Sequence, residues 1–244
     1  MSMGHPSRRD PGLRWPRLAG VTHEYGPLPK PKLRGWLHAA TFPVAVVAGA
    51  VLVATAPSPE ARAAGAVYAA TAALLFGVSA LYHRGKWTPP VRAVLRRLDH
   101  ANIFLIIAGT YTPFTILLLD SPHAQILLAL VWVGALAGAV FRVCWLTAPR
   151  WLYVPIYLGL GWAATFWLPS FGARGGAAVL SLIIAGGLLY SAGAVIYGLK
   201  RPNPSPRWFG FHEVFHACTL AGFATHHVGV WLAAFGVGVA AGAT

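Results

Sequence analysis

The chain has 244 residues, of which 57% are hydrophobic and only 10% are charged, and its mean hydropathy is +0.60. Soluble globular domains carry about 25% charged residues, so this composition excludes an ordinary soluble domain and indicates a protein of the lipid bilayer. The net charge of +13 would suit nucleic acid, but the basic residues lie between long apolar runs, where membrane proteins carry them in cytoplasmic loops. We therefore expect no nucleic-acid partner.

The first 34 residues are rich in proline, arginine and glycine. Such a composition cannot bury a hydrophobic core. The segment also lacks the apolar stretch and the cleavage site of a signal peptide. We interpret residues 1–34 as a basic, proline-rich cytoplasmic tail, which precedes a transmembrane domain at residues 35–244.

Seven apolar runs follow the tail, and each is close to or longer than the ~20 residues that cross a hydrocarbon core of about 30 Å. They are Trp36–Ala56, Ala63–His83, Asp99–Leu119, Ala124–Trp145, Trp151–Leu168, Ala177–Leu199 and Trp208–Val237. The fifth run is the shortest and contains a proline, Pro155. The sequence thus predicts an all-α membrane protein, a seven-transmembrane helix bundle that crosses the cell membrane several times.

The loops on one side of this bundle carry nearly all of the cations. The tail has seven Lys or Arg, the loop after the second run has five, and two further loops on the same side add five more, which gives seventeen. The other side has two, Arg62 and Arg174. Cytoplasmic loops of membrane proteins carry the excess of Lys and Arg. The N-terminus is therefore predicted in the cytoplasm and the C-terminus outside.

Ionisable side chains within membrane spans are costly and mark functional sites. His83 ends the second predicted helix, Asp99 begins the third, and His212 and His216 lie in the first turns of the seventh. The predicted orientation brings all of these helix ends to the cytoplasmic side. Residues four apart share one helix face, so His212 and His216 point the same way and Ser79 lies one turn from His83.

Three histidines beside a carboxylate suit a catalytic Zn²⁺, which takes three protein ligands and keeps a fourth position for water. Bound zinc lowers the pKa of this water from about 15.7 to roughly 7, and a neighbouring carboxylate such as Asp99 can hold and deprotonate it. The sequence predicts one zinc ion bound by His83, His212 and His216. Residues 212–216 also match the H-E-x-x-H motif of metalloproteases, in which Glu213 would be the base.

Three segments carry a resemblance to a known family. They read Ser79-Ala-Leu-Tyr-His83, Leu98-Asp-His-Ala-Asn-Ile-Phe-Leu-Ile-Ile-Ala-Gly-Thr-Tyr-Thr-Pro113, and His212-Glu-Val-Phe-His216 with the later pair His226-His227. With these segments, in this order, the chain resembles the haemolysin III family, the bacterial branch of the progestin and adipoQ receptor superfamily. The tail is long and proline-rich for that family, so the resemblance covers the chain after the tail.

The resemblance implies a seven-helix bundle with an intramembrane zinc ion held by His83, His212 and His216. It also implies that Asp99 contacts the zinc-bound water and that Ser79 lies beside the site. The wider superfamily of membrane hydrolases that it points to includes the alkaline ceramidases. The family name itself refers to a cytolytic, pore-forming activity.

Three functions fit these observations. The first is a zinc-dependent hydrolase of a lipid amide or ester, ceramidase-like, with a membrane lipid as substrate, Asp99 as base and Ser79 hydrogen-bonded to water or substrate. The second is a non-enzymatic receptor or pore-forming protein with structural zinc, which would require four protein ligands. The third is an intramembrane metalloprotease with Glu213 as base.

Overall fold

The structure is a computed structural model that describes residues 30–241, with side chains described through residue 236. Most of the predicted tail, residues 1–29, lies outside these described residues. Across the described range the regular secondary structure is helical, with one isolated bridge between Ser205 and Phe209.

The bounds of the helices follow local signals at their starts. Ser58 precedes the second helix and accepts a hydrogen bond from the backbone N–H of Ala61 (3.1 Å), and Asp120 does the same for His123 (3.2 Å) ahead of the fourth. A proline then lies in the first turn of each, where its missing N–H costs nothing. The helices are α1 (Trp36–Thr55), α2 (Pro59–Arg84), α3 (Pro89–Leu118), α4 (Ser121–Cys144), α5 (Arg150–Gly161), α6 (Leu168–Leu199) and α7 (Phe211–Ala241), with a 3₁₀ helix at Ala163–Trp167.

Six helical segments of the described chain are long and apolar enough to cross a membrane. One of them is the run Arg150–Leu199, 50 residues that contain α5, the 3₁₀ helix and α6. Large apolar side chains face outward, as a lipid-facing surface requires: Val133 is 67% exposed and Phe166 is 89% exposed. These features confirm the prediction of an all-α membrane protein.

The run from α5 to α6 folds back on itself. The guanidinium of Arg150, at its start, donates to the carbonyl of Tyr197 near its end (2.9 Å), and the indole N–H of Trp162 donates to the hydroxyl of Ser191 (2.9 Å). Residues near the start of the run thus contact residues near its end, so its two halves are antiparallel. Gly176 has a φ of 74°, in the left-handed region that glycine adopts without steric cost, and it interrupts the helix inside α6.

The third helix is longer than predicted. The sequence placed its start at Asp99, but α3 begins at Pro89, directly after Thr88. The predicted start is wrong because a basic segment can form either a loop or an exposed helix. Here two prolines in the first turn allow a helix to start at Pro89 and carry the basic residues on its exposed turns. Asp99 consequently lies well inside α3.

Helix α3 is the centre of the bundle and packs against α2, α4, α5, α6 and α7. Small residues permit these close approaches: Gly109 lies against Thr71 of α2, and Gly138 of α4 lies against the ring of Phe104. Helix α7 packs on α6, α3 and α1. The C-terminal end of α2 and the N-terminal end of α7 therefore meet beside α3.

A short segment before α1 closes this end of the bundle. Residues 30–34, here named the entry segment, lie along the chain that leads into α7. The backbone N–H of Lys32 donates to the backbone carbonyl of Arg207 (3.0 Å), and the backbone N–H of Leu33 donates to the backbone carbonyl of Trp208 (3.2 Å). The ammonium of Lys32 also lies 4.3 Å from the centre of the Trp208 ring. The entry segment is therefore bound to the start of α7 by main-chain and cation–π contacts.

Candidate metal centre

Three histidines converge where α2 ends and α7 begins. One potential ligand atom each of His83, His212 and His216 lies within 4.8 Å of the other two. The Nε2 atoms of His83 and His212 are 3.2 Å apart, and the ring of His212 lies 4.5 Å from that of His216, centre to centre. His83 and His216 are almost completely buried. The structure thus brings together all three histidines that the sequence assigned to a metal.

The geometry of the cluster fits a metal ion. Zinc binds histidine nitrogen at about 2.0–2.1 Å, so two nitrogens on a tetrahedral ion are about 3.3 Å apart. The 3.2 Å between His83 Nε2 and His212 Nε2 agrees with that separation. Imidazole nitrogens are also common ligands of zinc, copper, iron and nickel. The cluster is therefore compatible with a bound metal.

Asp99 and Ser79 border the cluster. A carboxylate oxygen of Asp99 lies 3.9 Å from Nε2 of His83 and 3.7 Å from Nδ1 of His100. Ser79 is buried one turn before His83, and its hydroxyl lies beside the carboxyl of Asp99. Asp99 is not part of the mutually close group of three ligand atoms. Asp99 therefore lies beside the three histidines and outside their mutually close group.

The entry segment reaches the same site through two cations. The guanidinium of Arg34 forms an ion pair with the carboxylate of Glu213, which also accepts a hydrogen bond from the backbone N–H of Gly210 (2.8 Å). The ammonium of Lys30 donates to the backbone carbonyl of His83. The Glu213 side chain is thus engaged at the start of α7, where a carboxylate also complements the positive end of the helix.

His38 belongs to the site, although the sequence analysis gave it no role. Its ring is buried and stacks on that of His216, with centres 3.7 Å apart and planes 1° from parallel, and it meets Phe76 edge-on. Neither ring nitrogen has a hydrogen-bond partner among the described residues. The available signal was a histidine two residues into the apolar run that begins at Trp36, since ionisable side chains within membrane spans are rare.

The other histidines of the interior bond to the protein. Nε2 of His226 lies 3.0 Å from the carbonyl of Ile183, and His227 accepts a hydrogen bond from the indole of Trp231 (3.0 Å). Both lie deeper in α7 than the cluster. His100 lies against the carbonyl of its own helix one turn earlier (2.7 Å).

An apolar cavity leads away from the cluster into the bundle. Ser79, Asp99 and His212 line its head, and His226 lies toward its far end. The wall between them consists mainly of aliphatic and aromatic side chains from α3, α5, α6 and α7, among them Phe114. We name it the apolar cavity. Its lining suits a hydrocarbon chain better than a polar molecule, because most of the surface that faces the cavity is apolar.

The fold and this site define a class: a multi-pass, all-α membrane protein with a largely buried histidine triad at one end of an apolar cavity. The family model described as "Haemolysin-III related" matches residues 27–227, and the chain belongs to that family. The predicted resemblance is thereby confirmed, and the protein is a multi-pass protein of the cell membrane.

Individual relatives agree with this placement. The chain is 34% identical to "Hemolysin-3" of Bacillus cereus over 158 residues, which are 65% of this chain and 69% of that protein. It is 34% identical to the "Hemolysin-3 homolog" of Bacillus subtilis (strain 168) over 132 residues, 54% of this chain and 59% of the relative. A third relative, "Heptahelical transmembrane protein ADIPOR2" of Oryza sativa subsp. japonica, is 29% identical over 153 residues, 56% of this chain and 66% of that protein.

Proposed function

We propose that this protein is a zinc-dependent membrane hydrolase that cleaves an amide or ester bond of a lipid. The observation that carries the proposal is the position of the histidine triad. It lies next to the partly buried carboxyl of Asp99 and the buried hydroxyl of Ser79 at the head of the apolar cavity. A lipid acyl chain in that cavity would present its carbonyl to the triad.

The roles of the residues follow from their positions. His83, His212 and His216 would hold the zinc ion, and a zinc ion bound there would polarise the carbonyl and lower the pKa of water at the site. Asp99 accepts the proton of the attacking water and returns it to the leaving group. Ser79, beside Asp99, orients that carboxyl or hydrogen-bonds to the substrate.

We propose further that the chain crosses the membrane seven times, with the N-terminus and residues 1–34 in the cytoplasm and the C-terminus outside. The antiparallel contacts within Arg150–Leu199 support two crossings in that run. Seven crossings also agree with the loop charges, seventeen Lys or Arg against two. In this topology the metal centre lies near the cytoplasmic face.

Two alternatives predict other contacts. The first alternative is a receptor or a pore-forming, lytic protein, and the name of the Bacillus cereus relative, "Hemolysin-3", is consistent with it. In such a protein the zinc would be structural and would need a fourth protein ligand. The described residues group three ligand atoms within 4.8 Å. A metalloprotease needs Glu213 free to act as base, but Arg34 and the Gly210 N–H hold that carboxylate. Both observations favour the hydrolase.

The test uses purified protein reconstituted in liposomes. Metal content is measured first, and hydrolysis of a panel of lipid amides and esters is then followed with zinc present and after chelation. We expect about one zinc per chain and turnover that stops on chelation. Full zinc occupancy without cleavage of any lipid in the panel would replace the hydrolase with the receptor or pore.

Topology is tested separately with reporters. One fused at Met1 should report the cytoplasm, and one fused after Thr244 should report the outside. Both ends on the same side would contradict seven crossings.

A further inference from the structure

A second cavity lies on the other side of the histidine cluster, at the end of the bundle that the entry segment closes. Its lining includes four cations, together with the aromatic side chain of Phe211 and one member of the triad. They are Lys30, Arg34, Lys86, Arg92, Phe211 and His83. We name it the basic cavity. It differs from the apolar cavity in charge and in its lining.

The basic cavity concentrates positive charge. No carboxylate is among the described residues that line it. The nearest acid, Glu213, is already paired with Arg34. The cations therefore repel one another, and a bound anion would relieve that repulsion.

The two cavities meet at the histidine cluster. His83 is in the wall of the basic cavity, and His212 is in the wall of the apolar cavity. Their Nε2 atoms are 3.2 Å apart. An amphiphile with an anionic head and one hydrocarbon chain would therefore extend from one cavity to the other across the metal site.

We propose that the substrate of this site is an acyl lipid with a phosphate head, which lies in the basic cavity while the acyl chain fills the apolar cavity. The inference rests on the proposed hydrolase function, and it makes the substrate anionic rather than a neutral lipid amide. Arg92 supplies the planar fork that binds phosphate oxygens in pairs, and Lys86 adds a point charge.

The reaction on such a lipid balances as an ordinary hydrolysis. For an acyl glycerol phosphate, water adds to the acyl carbon and the bond from that carbon to the glycerol oxygen breaks. The glycerol oxygen takes the proton that Asp99 received from the water. The products are a fatty acid and glycerol phosphate, and no oxidant, reductant or further reactant is consumed.

The experiment measures binding to metal-free protein in an uncharged detergent, so that no turnover occurs. Three probes separate head from chain: oleoyl glycerol phosphate, monooleoylglycerol, which lacks the phosphate, and glycerol phosphate, which lacks the chain. We expect the first to bind at least about tenfold more tightly than either of the others, since a charge-assisted contact contributes about that factor.

Two substitutions then test where the phosphate head of the lipid binds. Lys86→Ala and Arg92→Ala should each weaken binding of oleoyl glycerol phosphate by about three- to tenfold and leave monooleoylglycerol unchanged. Both side chains are exposed, so the fold should tolerate their loss. Arg96→Ala is the matched control, because Arg96 is an exposed arginine one turn further along α3 and does not line the basic cavity. It should bind like the wild type.

Three outcomes would overturn the proposal. The first is equal affinity for the lipids with and without phosphate. The second is an equal loss of affinity for oleoyl glycerol phosphate in the Arg96→Ala and Arg92→Ala proteins. The third is glycerol phosphate bound as tightly as its acyl form, which would indicate a site for free phosphate. Phosphate-dependent binding together with no hydrolysis after zinc is restored supports the anionic site and contradicts only the hydrolase. Hydrolysis without phosphate-dependent binding supports the hydrolase and contradicts only the anionic head.

Discussion

Helix α7 carries two pairs of histidines with different surroundings. His212 and His216 face His83 of another helix, and the three form a mutually close group of potential ligands. His226 and His227 lie further along the same helix and bond to a backbone carbonyl and an indole N–H. The two pairs differ in what a neighbouring helix contributes. His212 and His216 form a candidate metal site because α2 supplies His83 as a third potential ligand, whereas the described residues place no third ligand beside His226 and His227, although each of these keeps its Nδ1 without a hydrogen-bond partner.

The largest effect should come from removing the ligand that α2 contributes. His83→Ala leaves two histidines on one helix, and we expect zinc affinity to fall by more than about 100-fold, since groups outside the ligand shell already cost 10–100-fold. Zinc content after dialysis measures this loss. His227→Gln is the control, because glutamine still accepts a hydrogen bond from Trp231, and it should keep its zinc. Full zinc in the His83→Ala protein would remove the proposed ligand set.

Asp99→Asn should separate metal binding from chemistry. The amide keeps the shape of the carboxyl but cannot accept the proton, so lipid hydrolysis should fall by about 10²- to 10⁴-fold while most of the zinc stays bound. Hydrolysis rate per bound zinc is the quantity to compare. Loss of the zinc instead would make Asp99 a ligand and favour the structural-zinc alternative.

Glu213→Gln tests the other acid near the triad. Because Arg34 and Gly210 hold this carboxylate, we expect turnover per bound zinc to stay within about threefold of the wild type. Loss of a buried ion pair should instead lower the free energy of unfolding, by about 1–3 kcal/mol, and thermal unfolding measures this. An inactive Glu213→Gln protein with a normal melting temperature, together with an active Asp99→Asn protein, would make Glu213 the base and replace the proposed mechanism with the protease-type one.

The smallest effect is expected at His38. His38→Phe keeps a ring stacked on His216 and removes both nitrogens, so zinc affinity should change by less than about tenfold. His38→Ala removes the stacking as well, which costs about 0.5–1.5 kcal/mol of stability. Equal and complete zinc loss in both variants would show that a His38 nitrogen binds the metal and would enlarge the ligand set to four.

The sequence predicted the triad because hydropathy and loop charge determine which helix ends meet, and His83, His212 and His216 all lie at such ends. It placed Asp99 at the same end but gave the wrong helix start, because a basic stretch can be loop or exposed helix and hydropathy does not separate the two. The stacking of His38 and the pairing of Arg34 with Glu213 could not be predicted, since both depend on how helices rotate and pack in three dimensions.

The reversal of the chain between α5 and α6 could be predicted from the sequence only in part. Separate apolar runs were predicted on either side of Gly176, and the antiparallel contacts agree with a chain that turns between them. The details were not available from the sequence, because Gly176 is one of 27 glycines and nothing in its neighbours marks it as a glycine with positive φ.

The entry segment connects the N-terminus mechanically to both helices that carry the triad. Lys30 holds the carbonyl of His83 at the end of α2, and Arg34 holds Glu213 at the start of α7. A force or a bulky fusion acting on residues 30–34 would therefore be transmitted to His83 and His212 together. Affinity tags and protease sites should be placed before residue 30. A truncation at residue 35 would release both ends of the triad from their common anchor.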